Sequence, residues 1–222
     1  LPADHAWRWD QSKYRFQLAE KRFQIEDVMA EVDRLIAWAT RLGDDDRIAE
    51  VAVMAAKIVG DSGDLDASHR LLAQARQRSQ HRPSVLARAL AIEARLHKNR
   101  GDLDRAERAA AEAIEIETQQ DNPVRVASNQ QSLADVRLAQ GRIQEALNLL
   151  DHAISIADKQ GEVSSKAMMV NSQGEVFRAD GRLDEALKAY EEARDLGLQL
   201  ENTFTVAMTS CNVGLVLLAM ER

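Results

Sequence analysis

Residues 181–194 read GRLDEALKAYEEAR, and nearly the same phrase occurs at residues 63–76 (GDLDASHRLLAQAR), 101–114 (GDLDRAERAAAEAI) and 141–154 (GRIQEALNLLDHAI). The glycines that open these phrases, Gly63, Gly101, Gly141 and Gly181, lie 38, 40 and 40 residues apart. A period of this length is typical of repeat architectures in which one supersecondary unit recurs. The chain therefore repeats one structural unit along most of its length.

Each unit is predicted to consist of two amphipathic helices joined at the glycine. Apolar residues recur at three- and four-residue spacing on both sides of each glycine, which is the helical period. Glycine adopts positive φ without a Cβ clash, so it ends the first helix and lets the chain turn back into the second. Pro83 and Pro123 stand where a first helix would begin, because the fixed φ of proline suits a first turn.

Small residues recur in phase with the glycines, at positions where helices must touch. Each glycine is followed at five residues by a serine or alanine and preceded at seven residues by an alanine or glycine. The residues five after are Ser68, Ala106, Ala146 and Ala186, and those seven before are Ala56, Ala94, Ala134 and Gly174. Since one helical pair cannot enclose its own apolar stripe, neighbouring units are predicted to stack and bury it between them.

This pattern of small residue, glycine, apolar residue and alanine resembles the tetratricopeptide repeat over about residues 49 to 220. The resemblance implies an all-α, right-handed superhelical solenoid of antiparallel helix pairs. Its units would begin near residues 49, 87, 127, 167 and 207, with the last one incomplete. Units of 38 to 40 residues, longer than the usual 34, look most like the solenoids of bacterial signal-transduction ATPases and LuxR-type activators.

The two ends of the chain depart from the repeat pattern. Residues 1–48 are predicted to form either an N-terminal helical cap or a divergent repeat without a glycine turn. The last helix is apolar nearly all round, which is unsuited to a solvent-exposed cap. We interpret the chain as a piece of a longer protein and expect a further repeat or a second copy of the chain, in a homodimer, to cover that helix.

Composition excludes several classes of function. The formal charge of -7 and pI near 5.3 argue against direct binding of nucleic acid, which needs a dense basic surface. No apolar run approaches the ~20 residues that span a bilayer, and no signal peptide precedes the first helix, so no membrane association is expected. The single Cys211 is typical of a reducing compartment, which favours a cytoplasmic location.

The sequence carries no catalytic signature. It contains no GxxxxGK[ST], HExxH or GxSxG motif and no CxxC pair, and its histidines do not follow a metal-ligand spacing. We therefore predict a protein that is not an enzyme and that holds neither a metal nor a cofactor.

The resemblance implies that a partner segment lies along a concave face lined by the first helix of each unit. Reading the corresponding positions from the sequence yields eight candidate partner-binding residues, namely Lys57, Arg88, Arg95, Lys98, Asn99, Gln131, Asn171 and Arg178. The basic cluster of Arg88, Arg95 and Lys98 suits an acidic protein or peptide. The competing interpretation is an ion pair between Arg95 and Asp135 on the neighbouring helix.

Two functions fit these observations. In the first, the chain is an adaptor or scaffold that grips a partner protein segment in the concave groove. In the second, it is a sensor or regulatory arm of a larger bacterial signalling or transcription regulator. That arm would bind a ligand or its own missing domains. Repeats whose common residues serve packing do not identify the partner.

Overall fold

The computed structural model describes Phe16, residues 25–79 and residues 81–220. Across these described residues the chain forms ten α-helices and no strand. The helices are α1 (Ile25–Leu42), α2 (Asp45–Asp61), α3 (Leu65–Arg78), α4 (Pro83–Arg100), α5 (Leu103–Gln119), α6 (Pro123–Ala139), α7 (Ile143–Gln160), α8 (Val163–Ala179), α9 (Leu183–Gln199) and α10 (Thr203–Ala219). Most of the predicted cap or divergent repeat before α1 lies outside the described residues. The chain divides into an N-terminal unit, residues 1–96, and a C-terminal unit, residues 97–222.

The turn within each repeat forms as the glycine pattern predicts. Gly141 has φ of 74°, and its amide donates to the carbonyl of Leu138 while the next amide, of Arg142, donates to the carbonyl of Arg137. This pair of bonds closes the end of α6 in left-handed geometry. Where aspartate follows the glycine it caps the next helix, since Asp64 Oδ1 accepts the amide of Ala67 at 2.9 Å.

The turn between repeats has a different chemistry at each position. Pro83 and Pro123 begin α4 and α6, as predicted. Between α7 and α8 the left-handed residue is Gly161, with φ of 70°. The residues 40 positions away on either side, Asp121 and Glu201, adopt the same left-handed conformation with φ of 52°, although neither is glycine.

The N-terminal unit has a core built from alanine, valine and leucine. Val28 and Val32 of α1 pack with Val51 of α2, and Phe16 is buried in the same cluster. A second cluster joins α2, α3 and the first part of α4 through Ala49, Ala52, Val53, Ala56, Leu72, Ala75, Val85, Ala89 and Leu96. Ser68 stands at the small-residue position of α3, and its hydroxyl donates to the carbonyl of Ala56 at 2.6 Å. The hydroxyl of this buried serine therefore has an acceptor for its proton, which offsets part of its desolvation.

In the C-terminal unit each helix packs on the next from α5 to α10, and the first helices of successive repeats also touch, α6 with α8 and α8 with α10. The largest core cluster is formed by Ala127, Ala134, Ala146, Leu147, Leu150, Ala153, Ala157, Met169 and Val176. Gly174 lies against the ring of Tyr190, which is completely buried. Small residues therefore stand where backbones come close, as the repeat pattern predicts.

None of the helices in the described ranges is both long enough and apolar enough to cross a membrane.

Candidate functional site

All eight predicted partner-binding residues lie on first helices of repeats: Lys57 on α2; Arg88, Arg95, Lys98 and Asn99 on α4; Gln131 on α6; Asn171 and Arg178 on α8. The unit boundary falls inside α4, so Lys57, Arg88 and Arg95 belong to the N-terminal unit and the other five belong to the C-terminal unit.

In the N-terminal unit, Arg95 forms an ion pair and hydrogen bond with Asp61 at the end of α2. Arg95 therefore pairs with the preceding first helix of its own unit. Lys57 is exposed and Arg88 is half-buried. The ion pair joins two side chains that are 38% and 44% exposed, so it stabilises the fold by about 0 to 1 kcal/mol at most.

In the C-terminal unit, Asp135 forms an ion pair with Lys98 of α4. Lys98 Nζ lies 3.1 Å from Asp135 Oδ2. Burial raises the pKa of the Asp135 carboxyl above its usual 3.8, while Lys98 lowers it and the nearby Glu175 raises it further. Lys98 therefore offsets only part of the free energy that burial of the charged Asp135 carboxylate costs.

Two more predicted residues of this unit, Arg178 and Asn99, differ in environment. Arg178 Nη2 lies 2.6 Å from Glu175 Oε2, one turn earlier on α8, whereas Asn99 is exposed at the end of α4. The bond to Glu175 raises the pKa of Arg178. Arg178, Lys98 and Arg95 therefore each lie beside a carboxylate of their own unit.

The two predicted amides of the C-terminal unit belong to a row of cross-helix hydrogen bonds. Gln131 Nε2 of α6 donates to Ser172 Oγ of α8 at 2.8 Å and to the carbonyl of Met168 at 3.3 Å. Asn171 Oδ1 of α8 accepts from Asn212 Nδ2 of α10 at 2.9 Å. We call Gln131, Ser172, Asn171 and Asn212 the amide ladder. It joins three consecutive first helices through side chains that are each partly buried.

Sequence reasoning missed Ser172 and Asn212. The signal for both was available, because Ser132, Ser172 and Asn212 are spaced by 40 residues and directly follow Gln131, Asn171 and Cys211, which share one repeat position. A pair of adjacent polar positions recurring with the repeat period indicates side chains that face each other across neighbouring first helices.

The amide ladder presents hydrogen-bonding groups of both kinds at its surface. Gln131 uses only its NH₂ group in the ladder, which leaves its carbonyl oxygen as an acceptor, and Asn171 uses only its oxygen, which leaves two N–H donors. A peptide backbone offers one donor and one acceptor per residue. The ladder therefore has the chemistry to bond an extended main chain. Among the described residues no group of three side chains is placed to hold a metal ion.

The corresponding surface of α10 is apolar. Cys211, Leu215 and Leu218 are exposed, the two leucines by 57% and 75%, while Met208 is half-buried. At the ninth position of the repeat, where α10 has Leu215, the two preceding first helices of this unit carry Asp135 and Glu175. The face of the first helices thus changes from polar to apolar within the C-terminal unit.

Two family models match the sequence. The model described as the MalT-like TPR region matches residues 13–164, and a tetratricopeptide repeat model matches residues 132–197. Both models describe repeats, and neither describes a catalytic domain. Among curated proteins, none matches the chain.

Several solved structures share the fold. BtubC from P. vanneervenii is 20% identical with a TM-score of 0.74, over 89% of this chain and 85% of that one. Aspartyl phosphate phosphatase F from Bacillus subtilis is 10% identical with a TM-score of 0.82, over 96% of this chain and 57% of that one. A STAND signal-transduction ATPase with a tetratricopeptide repeat sensor, from Pyrococcus horikoshii, is 13% identical with a TM-score of 0.76, over 95% of this chain and 33% of that one. At these identities the likeness shows the fold alone, an all-α solenoid of helical repeats.

Proposed function

We propose that this chain, which belongs to the family of MalT-like tetratricopeptide repeat regions, binds an extended segment of a partner protein along α6, α8 and α10. Repeats of this type build protein-interaction modules, because stacked helical pairs present a long surface that side chains can vary without disturbing the core. The chain acts in this proposal as a non-enzymatic adaptor. We assign it to the bacterial cytoplasm, where a lone cysteine stays reduced.

The observation that supports this proposal is the amide ladder. Its cross-helix bonds fix the side chains of Gln131 and Asn171 before any partner arrives, so less side-chain entropy is lost on binding. Main-chain hydrogen bonds to such fixed amides hold an extended segment with little regard to its sequence. Neighbouring side chains of the partner then determine specificity.

The basic residues have a secondary role in this proposal. Lys98 and Arg178 already lie beside Asp135 and Glu175, so an acidic partner must displace a carboxylate from each before it gains an ion pair. The net gain from such an exchange on a partly exposed surface is small. We therefore expect acidic side chains of a partner to improve affinity modestly and the amides to contribute more.

The test is a peptide selection followed by calorimetry. Peptides selected from a displayed random library against the whole chain are titrated into the wild-type protein and into Asn171→Ala. We expect Asn171→Ala to weaken binding about tenfold, the effect of losing one hydrogen bond of about 1.4 kcal/mol. The matched control is Asn148→Ala, because Asn148 also bonds an amide, that of Gln144 at 3.0 Å, but on the second helix α7.

Equal binding of the selected peptides to the wild-type protein and to Asn171→Ala, with helicity unchanged, would refute the assignment to the ladder. A second variant, Arg88→Glu with Lys98→Glu, measures the basic contribution. A larger loss of peptide affinity in this variant than in Asn171→Ala would assign the binding site to the basic cluster instead of the amide ladder.

A sensor or regulatory arm of a larger bacterial regulator is the second candidate function. It is favoured by the STAND protein, whose tetratricopeptide repeat sensor is part of a chain about three times as long as the matched region. In that case peptide selection should yield no specific binder. A small-molecule panel should instead raise the melting temperature of the chain, since a ligand bound only to the folded state stabilises it.

A further inference from the structure

Two carboxylates lie one helical turn beyond the amides of the ladder, on neighbouring first helices. Asp135 of α6 follows Gln131 by four residues, and Glu175 of α8 follows Asn171 by four. Residues four apart share one face of a helix. The helices α6 and α8 touch, and Glu175 is close enough to Asp135 to raise the pKa of its carboxyl. The two acids therefore face the same region of the surface that carries the amide ladder.

Holding these two carboxylates close together costs free energy. Burial and the charge of Glu175 both raise the pKa of Asp135, and Lys98 offsets only part of this effect. At the same repeat position, the first helices of the N-terminal unit carry the bases Lys57 and Arg95. A titratable group that is perturbed by both burial and a like charge, on a face that meets a partner, is a candidate for a binding role.

Each carboxylate has acceptor capacity beyond its own ion pair. Lys98 Nζ bonds Asp135 Oδ2 at 3.1 Å, and Arg178 Nη2 bonds Glu175 Oε2 at 2.6 Å. Because the two oxygens of a carboxylate together accept about four hydrogen bonds, both acids can accept from a further cation without releasing their bases. An acidic group of a partner must instead displace one of the carboxylates. This cluster therefore suits a basic group better than an acidic one.

A buried hydroxyl lies beside the same cluster. The side chain of Tyr190, on α9, is completely buried, and its hydroxyl makes no hydrogen bond to any of the described residues. Glu175 and Arg178 both lie close enough to affect the pKa of Tyr190, but neither has the geometry of a hydrogen bond to it. A buried donor without an acceptor is costly. Its position beside Glu175 indicates a polar arrangement that a further group completes.

We propose that Asp135 and Glu175 together receive one lysine or arginine side chain of the bound partner segment. This inference rests on the proposed function, because the amide ladder holds the main chain of that segment. The carboxylates lie about 6 Å along the helix axis from the amides, a distance that the flexible stem of lysine spans. A cation between them replaces their mutual repulsion by two attractions. The formal net charge of -7 also favours the approach of a basic segment.

The test uses peptides selected from the displayed random library against the whole chain. We expect lysine or arginine to be enriched at one position of these peptides. Norleucine at that position, which lacks the charge, should weaken binding about fivefold by calorimetry. This difference should disappear in the double variant Asp135→Asn with Glu175→Gln. The matched control is Glu112→Gln with Glu115→Gln, which removes two charges from the exposed face of α5 and should keep the difference.

The outcomes separate this inference from the proposed function. Selected peptides that lose affinity in Asn171→Ala but contain no basic position, or an acidic one instead, would overturn the inference and leave the amide ladder in place. A basic preference that persists in Asp135→Asn with Glu175→Gln, at unchanged helicity, would also overturn it. A selection that yields no binder would refute both proposals. The advantage of the basic residue should also shrink at high salt, whereas the loss in Asn171→Ala should be the same for both peptides.

Discussion

Replacement of Gly174 by alanine tests the packing that holds two helices of one repeat together. Gly174 lies in the middle of α8, where a Cβ atom would come within 2.7 Å of Tyr190 Cε1 and 2.8 Å of Cδ1. The side chain of Tyr190 is completely buried. The added methyl must therefore push α8 and α9 apart or force the ring out of its preferred rotamer.

The magnitude follows from two opposing effects. Overpacking a buried contact costs about 1 to 3 kcal/mol, while glycine to alanine in a helix interior stabilises by about 0.5 to 1 kcal/mol. We expect Gly174→Ala to lower the free energy of unfolding by about 1 to 2 kcal/mol. Gly214 of α10 has no atom within 4 Å of its added Cβ, so Gly214→Ala should instead raise stability by about 0.5 to 1 kcal/mol.

The chain itself provides the compensating variant. One repeat earlier, the residues that correspond to Gly174 and Tyr190 are Ala134 and Leu150, both completely buried. The double variant Gly174→Ala with Tyr190→Leu reproduces that pair. We expect it to be more stable than the sum of the single effects predicts, with a coupling free energy of about 0.5 to 3 kcal/mol.

The assay is urea unfolding followed by far-UV circular dichroism, at low protein concentration so that association does not contribute. The urea midpoint and slope of each variant are compared with those of the wild-type chain. If Gly174→Ala were as stabilising as Gly214→Ala, or if the two changes at 174 and 190 simply added, the argument from close approach would be refuted.

Three further variants test turns, charge and packing. Glu201→Gly should raise the free energy of unfolding by about 0.5 to 1 kcal/mol in urea titration, because it removes a left-handed non-glycine residue and copies Gly161. Asp135 has a pKa above 3.8 in the fold, so its contribution to stability is greatest below about pH 4 and falls as the pH rises through the raised pKa. Asp135→Asn should therefore flatten that fall in thermal unfolding measured from about pH 4 to 7; an unchanged slope would contradict it. Ala146→Leu should cost about 1 to 3 kcal/mol by calorimetry, since Ala146 is completely buried.

The fold was predictable because the residues that determine it recur. Glycines at the turns and small residues at helix contacts repeat every 38 or 40 positions, so each copy supports the interpretation of the others. The turns between repeats that lack a glycine were harder to predict. Asp121 and Glu201 occupy the left-handed position that Gly161 marks. Aspartate adopts this conformation more often than most residues, but glutamate does not indicate it.

The candidate site was only partly predictable. Sequence position correctly placed Gln131 and Asn171 on neighbouring first helices, because helix period and repeat period together define a face. Sequence position did not predict which charged side chains form ion pairs. Arg95 pairs with Asp61 through side chains that are both partly exposed, and ion pairs of this kind differ in free energy by less than about 1 kcal/mol. Pairing at that level depends on side-chain length and local backbone offset, which the repeat pattern does not encode.

The amide ladder and the exposed apolar residues of α10, Cys211, Leu215 and Leu218, show how one repeat framework supports two kinds of surface. Gln131 and Asn171 occupy the fifth position of their repeats, counted from Ala127 and Ala167, and Cys211 occupies the same position counted from Ala207. None of these residues enters the core, so that position is free to carry an amide that bonds a neighbour or an apolar side chain that faces outward. Its chemistry is set by what it contacts, whereas Ala127 and Ala167, at the first position, are buried in both repeats. Variation confined to such outward positions changes the partner while leaving the helix packing unchanged.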